Sequence, residues 1–112
     1  GLIPDSGGTF FLPRLIGWQK ASALMLLGEK VSATEAERIG MIYKVYSADT
    51  FEAAVQQMAA PLAQMPTQGL ALTKEALNRS SSNDYKTQLL LEDDLQQQAA
   101  DTQDFKEGVQ AF

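Results

Sequence analysis

The sequence predicts a mainly α-helical protein with at most one short strand. Apolar residues recur every three or four positions along most of the 112 residues, a spacing typical of helices that bury one face. Glycines, prolines and a serine run separate the apolar segments. Only one short segment is rich in β-branched and aromatic residues, which favours a single strand at most.

Two helices are predicted after an opening loop. Residues 9–16 have Thr9 as a candidate capping residue, an apolar face and a glycine stop. Pro13 would lie near the first turn, where a missing backbone N–H costs little. Residues 18–27 form the second helix, because Gly28 follows them at the position that favours a left-handed C-terminal residue.

A short third helix and the single strand candidate come next. Ser32 and Glu35 have the spacing of a capping box, in which the serine accepts a hydrogen bond from the third helical N–H and the glutamate reaches back. Gly40 ends this helix. Residues 41–46 (Met-Ile-Tyr-Lys-Val-Tyr) have strand character. A single strand cannot supply hydrogen-bond partners for its own backbone N–H and C=O groups. The segment must therefore pair with a strand elsewhere or remain an extended connector.

The second half begins with two further predicted helices. Asp49 and Glu52 have another capping-box spacing, followed by apolar residues at helical intervals. This helix should end near Pro66. Thr67 could then cap the next helix, which the polar residues 80–83 interrupt.

The last two predicted helices start at Asp84 and near Thr102. The final one is still running at Phe112, and the first residues form a turn with no element leading into it. We therefore expect one helical unit with both ends open, as in a piece of a larger protein.

Composition excludes several classes of function. The chain has no cysteine and no histidine, so it holds no disulfide, thiolate nucleophile or Ser-His-Asp triad, and zinc and non-haem iron lose their commonest ligand. Its formal net charge of −5 argues against nucleic acid as the main partner. No apolar run approaches the roughly 20 residues of a membrane span, and no signal peptide opens the chain. A cytoplasmic protein is expected.

The opening loop, residues 1–9, contains the strongest candidate for chemistry. Asp5 lies between a proline, which fixes φ, and a glycine pair, which lets the main chain turn sharply or approach a ligand. A carboxylate held in this way can transfer protons, although an Asx turn or a helix cap is its commoner role. Candidates for apolar walls around it are Leu2, Ile3, Phe10 and Phe11.

Two other patterns are weaker indications of a functional site. Residues 7–9 resemble a phosphate-binding loop only loosely, because the lysine and the spacing of a P-loop are absent. Residues 92–94 are three consecutive acids on a helix, which point in different directions and favour a solvated face over a metal site. No metal is expected.

Six motifs follow one another along nearly the whole chain. They are residues 1–9, residues 12–17, Leu27-Gly28, Ser32-Ala33 with Glu35-Ala36 and Gly40, Lys74 with residues 76–78, and residues 104–112. In this order and spacing they resemble the C-terminal part of the enoyl-CoA hydratase/isomerase (crotonase) family.

The resemblance implies a fold in two parts: an N-terminal spiral of ββα repeats that binds acyl-CoA, and a C-terminal helical part that builds trimers, often stacked as hexamers. Residues 1–28 would be the end of the spiral core with the active-site loop, and residues 29–112 a truncated helical oligomerisation region. The family stabilises a thioester enolate with two backbone N–H groups. These would lie upstream of Gly1, so the 112 residues alone are expected to be inactive.

The resemblance also implies the roles of the opening residues. Asp5 would be the catalytic base, while Pro4, Ser6 and Gly7 would shape the loop and contact the substrate. Hydratases of the family commonly have glycine where this chain has Asp5, whereas isomerases of dienoyl-CoA and of phenylacetate degradation have aspartate. An acyl-CoA isomerase of aromatic (phenylacetate) or fatty-acid catabolism is therefore expected, with no cofactor, since CoA is part of the substrate. The alternatives are a 2-enoyl-CoA hydratase and a noncatalytic helical assembly module.

Overall fold

The computed structural model describes residues 1–111, and the prediction of a mainly α-helical chain is confirmed over this range. Its seven helices are α1 (Gly8–Ile16), α2 (Trp18–Leu27), α3 (Ala33–Arg38), α4 (Ala48–Gln64), α5 (Thr67–Ser80), α6 (Tyr85–Ala100) and α7 (Gln103–Ala111). The described range contains no strand. Phe112, which the sequence places on the apolar face of the last helix, lies outside it.

The chain divides into two compact units, Gly1–Phe51 and Glu52–Phe112. In the first unit α1 packs against α2, and in the second α6 contacts both α5 and α7. The predicted division into residues 1–28 and 29–112 refers to a larger fold and stays a prediction.

The second helix follows its predicted bounds because both of its ends are signalled locally. It begins at Trp18 directly after Gly17, and it ends at Leu27, where Gly28 adopts the left-handed conformation with φ of 68°. The Gly28 N–H donates to the carbonyl of Leu24 at 3.0 Å. Glycine bears no steric penalty in this conformation, which explains the helix stop.

The predicted capping box of α3 is half formed. Ser32 Oγ accepts a hydrogen bond from the Glu35 N–H at 3.1 Å, as predicted. The Glu35 carboxylate does not reach back but accepts two hydrogen bonds of 2.6 Å from Arg38, and it lies 3.6 Å from Lys20 Nζ. The hydrogen bonds from Arg38 hold the pKa of the Glu35 carboxyl below its usual value.

The start of α6 agrees with the prediction. Asp84 Oδ1 accepts a hydrogen bond from the Thr87 N–H at 2.7 Å, which satisfies one of the unpaired donors of the first turn. Hydrogen bonding by the side chain and then the backbone of Thr87 lowers the pKa of the Asp84 carboxyl.

The predicted start of α1 is wrong. Its N-cap is Gly7, with φ of 82° and no side-chain cap, so Thr9 lies inside the helix and caps nothing. Pro13 consequently lies in the second turn rather than the first. The reason is the tight turn before Gly8, which already brings the backbone into position for the helix.

Two later helix starts also differ from the sequence prediction. Helix α4 begins at Ala48, one residue before the expected cap Asp49, and Ser47 Oγ lies 2.8 Å from Thr50 Oγ1. Helix α5 has Pro66 as its N-cap, and Thr67 is its first helical residue. Threonine and aspartate occur both just before and just inside a helix, so their presence does not determine which residue is the first of the helix.

The strand predicted over residues 41–46 is not formed, and the segment is a connector between α3 and α4. Gly40, with φ of 80°, ends the α3 turn, and the N–H groups of Met41 and Ile42 donate to the carbonyl of Ala36 at 2.8 and 3.3 Å. The Val45 N–H donates to a carboxylate oxygen of Glu37 at 3.3 Å. The end of α3 therefore takes up donors that a sheet would otherwise have paired.

Few side chains of the described residues are buried. The buried apolar ones are Ala21, Ala36, Leu91 and Leu95. The chain exposes 9207 Å², whereas two separate compact bodies of half its 12.2 kDa mass would together expose about 7,300 Å². Part of this exposed area is apolar, since large side chains such as Leu2, Trp18 and Leu26 are exposed.

None of the helices within residues 1–111 has both the length and the apolar character needed to cross a membrane.

Candidate functional site

Asp5 is the first residue of a tight turn that leads directly into α1. Its carbonyl accepts a hydrogen bond from the Gly8 N–H at 2.8 Å. The two central residues both have positive φ, 51° at Ser6 and 82° at Gly7. This combination is that of a type I′ turn, in which the chain reverses within four residues. The turn presents the Asp5 side chain at the beginning of a helix.

The Asp5 carboxylate is held by its neighbour. Ser6 Oγ donates a hydrogen bond to Asp5 Oδ1 at 3.2 Å. Both residues, and Pro4 before them, are exposed within this chain. An exposed carboxylate with one oxygen engaged is accessible to a substrate.

Gly7 is required at its position for two reasons. Its φ of 82° is a conformation that residues with a Cβ rarely adopt. A Cβ atom here would also lie 3.0 Å from two ring carbons of Phe11. Its carbonyl accepts from the N–H groups of Phe10 and Phe11, at 3.0 and 2.9 Å, so the turn and the first helical residues are continuous.

Replacing Gly7 by alanine is expected to lower the free energy of unfolding by about 1–2 kcal/mol, the usual cost of left-handed backbone with a Cβ. The matched control is Gly8→Ala, because a Cβ there would lie at ordinary contact distances of 3.7 Å from Pro4 and 3.8 Å from Met25. Alanine at this helical position should be neutral or stabilising. Urea unfolding followed by circular dichroism measures both. Equal effects of the two substitutions would contradict the assigned turn.

Aromatic side chains and one cation cover the first turn of α1. The rings of Phe10 and Phe11 meet edge to face with centroids 5.1 Å apart. The guanidinium of Arg14 lies 3.6 Å from the Phe10 ring centroid and donates to the Phe10 carbonyl at 2.8 Å. A cation over an aromatic face is attracted by the ring quadrupole. The cluster therefore stabilises the start of the helix that follows Asp5.

The predicted apolar walls do not close around Asp5 within this chain. Leu2 is fully exposed, Ile3 is 82% exposed, and the half-exposed Phe11 ring lies against Gly7. Leu2 and Ile3 precede the turn, and no element of residues 1–111 buries their side chains. Sequence reasoning missed the contact of Phe11 with Gly7, although their spacing of four residues at a helix start was a signal for it.

The three consecutive acids of α6 form no metal site. Glu92, Asp93 and Asp94 are exposed, as predicted. Asp93 and Asp94 accept hydrogen bonds of 2.9 Å from Gln97 and Gln98, one turn further along. Across residues 1–111 no three acidic side chains gather in a way that could bind a metal ion.

A groove that the sequence did not predict lies within the second unit, between α5 and α6. Its volume is about 810 Å³, and it is mainly apolar. Residues along it include Met65, Leu70, Thr73, Leu89, Glu92 and Gln96. The groove offers a contact surface, and the Thr73 hydroxyl in its lining donates to the Gly69 carbonyl at 2.8 Å.

Comparison with known proteins gives consistent matches along the whole chain. Residues 1–112 match the protein family described as Enoyl-CoA hydratase/isomerase. A 1,2-epoxyphenylacetyl-CoA isomerase of Escherichia coli K12 is 47% identical over all 112 residues. A probable enoyl-CoA hydratase of Rhodobacter capsulatus is 42% identical over the same residues.

The fold matches solved structures as well. An enoyl-CoA hydratase/isomerase crystal structure from Cupriavidus metallidurans CH34 superposes with a TM-score of 0.92 over 99% of this chain, at 36% identity. The match covers 42% of that structure's chain. The chain likewise spans 43% and 44% of the lengths of the two curated relatives.

Proposed function

The chain belongs to the enoyl-CoA hydratase/isomerase family, and on this basis we propose that it contributes the proton-transfer base of an enzyme that isomerises CoA thioesters. The base is Asp5. The observation that carries the proposal is its position in a type I′ turn at the start of α1, where Ser6 engages one carboxylate oxygen. The remaining oxygen is accessible for a proton.

The proposed reaction moves one proton between two carbons of the acyl group. Asp5 accepts the proton as the C–H bond breaks, and the electron pair shifts into the thioester to give an enolate. Hydrogen-bond donors must stabilise the enolate oxygen as its charge develops. Protonated Asp5 then returns the proton to a different carbon. Proton transfer by a positioned carboxylate requires no redox cofactor or metal.

Two arguments favour an isomerase of aromatic or fatty acyl-CoA thioesters. An aspartate at residue 5 is the residue that the resemblance associates with isomerases. The relative at 47% identity is named 1,2-epoxyphenylacetyl-CoA isomerase, which gives a CoA thioester with a six-membered carbon ring as its substrate. We therefore place the activity in phenylacetate or fatty-acid catabolism, in a cytoplasmic trimer or hexamer, with Pro4, Ser6 and Gly7 beside the substrate.

A hydratase is the second candidate, favoured by the relative from Rhodobacter capsulatus that is named a probable enoyl-CoA hydratase. Such an enzyme would add water across the double bond of a 2-enoyl-CoA. A noncatalytic assembly module is a third reading, and the extensive exposed apolar surface favours it.

Incubation in deuterated water separates these readings. The complete gene product that contains these residues is given 2-enoyl-CoA and 3-enoyl-CoA thioesters, and the products are followed by mass spectrometry. The isomerase is expected to interconvert the two and to incorporate deuterium without gaining the mass of water. Accumulation of a 3-hydroxyacyl-CoA alone would favour the hydratase. If neither deuterium exchange nor hydration occurs with the 2-enoyl-CoA, 3-enoyl-CoA or aromatic acyl-CoA thioesters, the noncatalytic assembly module is the one candidate that remains.

A further inference from the structure

We propose that Ser6 is a positioning residue for Asp5, and that the left-handed backbone of Ser6 is the means by which its hydroxyl reaches the carboxylate. This inference rests on the proposed role of Asp5 as the base. It assigns Oδ1 of Asp5 to the hydrogen bond with Ser6 and Oδ2 to the proton.

The backbone of Ser6 is unusual. Among residues 1–111 it is the one non-glycine residue with positive φ, at 51°. It occupies the first central position of the type I′ turn, where glycine, asparagine and aspartate are the usual residues. Left-handed conformations bring Cβ close to the following carbonyl oxygen, so serine here carries strain. Strained residues persist where the surrounding structure holds them in place, and they cluster at functional sites.

The side chain explains why the strain is tolerated. From this conformation Ser6 Oγ donates to Asp5 Oδ1 at 3.2 Å, and the same turn is closed by the hydrogen bond from the Gly8 N–H to the Asp5 carbonyl at 2.8 Å. The backbone and the side chain of Asp5 are therefore both restrained by residues of one turn. A carboxylate oriented before the substrate binds avoids the entropic cost of orienting it during the reaction.

A purely structural role for Ser6 makes a different prediction. Glycine would fit the turn better than serine, since it has no Cβ to strain. If Ser6 only shaped the turn, Ser6→Gly would improve stability and leave turnover unchanged. If Ser6 positions Asp5, Ser6→Gly must raise the stability of the protein and lower its turnover.

The test compares Ser6→Gly with Ser6→Thr in the complete gene product. Ser6→Gly relieves the strain and removes the donor, so we expect a higher thermal midpoint and a kcat for deuterium exchange about tenfold lower, with a smaller change in KM than in kcat. Ser6→Thr retains the hydroxyl but adds a methyl group that left-handed backbone tolerates poorly. We expect it to be less stable than Ser6→Gly yet to exchange faster.

The double variant Asp5→Asn with Ser6→Gly shows whether Ser6 acts through Asp5. It should lose no more activity than Asp5→Asn alone, because a positioning residue has nothing to position once the base is removed. Wild-type kcat in Ser6→Gly, or equal kcat in the glycine and threonine variants, would overturn the inference. Retained exchange in Asp5→Asn alone would instead overturn the proposed function on which it rests.

Discussion

Replacing Asp5 by asparagine in the complete gene product is expected to lower the rate of deuterium exchange into an acyl-CoA substrate by about 10²–10⁴-fold, the usual contribution of a positioned general base. Asparagine has the shape of aspartate but accepts no proton. It keeps the carbonyl that closes the turn with Gly8, and it keeps a side-chain oxygen for the Ser6 hydroxyl. The loss should therefore appear in kcat, with an unchanged circular dichroism spectrum and oligomeric state.

Asp94→Asn is the matched control for this substitution. Asp94 is also an exposed aspartate whose carboxylate accepts a single hydrogen bond, from Gln98 at 2.9 Å, but it lies on α6, away from the opening turn in the sequence. We expect this variant to exchange at the rate of the unsubstituted protein. Exchange that survives Asp5→Asn while water is still added to a 2-enoyl-CoA would favour the hydratase, and an equal loss in both variants would contradict a specific role of Asp5.

The 112-residue chain on its own is expected to self-associate at micromolar concentration. Its exposed area exceeds that of two compact bodies of the same total mass by about 1,900 Å². A standard protein interface takes about 800 Å² from each partner, so this excess is sufficient for more than one interface per chain. Sedimentation velocity should show species heavier than 12.2 kDa that grow with concentration. A compact monomer at high concentration would contradict this.

Two lysine substitutions on α2 test whether the association is apolar in origin. Leu26 is 84% exposed, and Leu26→Lys removes part of the apolar surface while adding one positive charge. Gln19→Lys adds the same charge at an exposed polar position of the same helix. We expect a lower average mass for the first variant and no change for the second. Equal effects would indicate that charge, rather than apolar surface, controls the association.

Local signals predicted some elements almost to the residue. The bounds of α2 follow from the glycines on either side, and the start of α6 follows from Asp84, because each of these residues stabilises a helix end without help from the rest of the chain. The same type of signal at Thr9 and Thr67 predicted the wrong N-cap for α1 and for α5. A threonine can cap a helix or continue it, and here Gly7 is the N-cap of α1 and Pro66 the N-cap of α5.

The segment 41–46 shows the limit of propensity. Its branched and aromatic residues fit a strand, but a strand requires a partner that supplies hydrogen bonds. Within the described residues the carbonyl of Ala36 and the carboxylate of Glu37 accept from this segment instead. The choice between strand and connector depends on contacts that lie outside the segment.

The sequence by itself determined the helical class, the order of motifs that places the chain in its family, and the position of Asp5 between a proline and two glycines. Only the tertiary structure decided that Ser6 takes a left-handed conformation, that its hydroxyl lies 3.2 Å from Asp5 Oδ1, and that the Phe11 ring covers Gly7. Propensity alone disfavours serine at this position by about 1–2 kcal/mol. The closing hydrogen bond of the turn and the packing of the helix that follows reverse that preference.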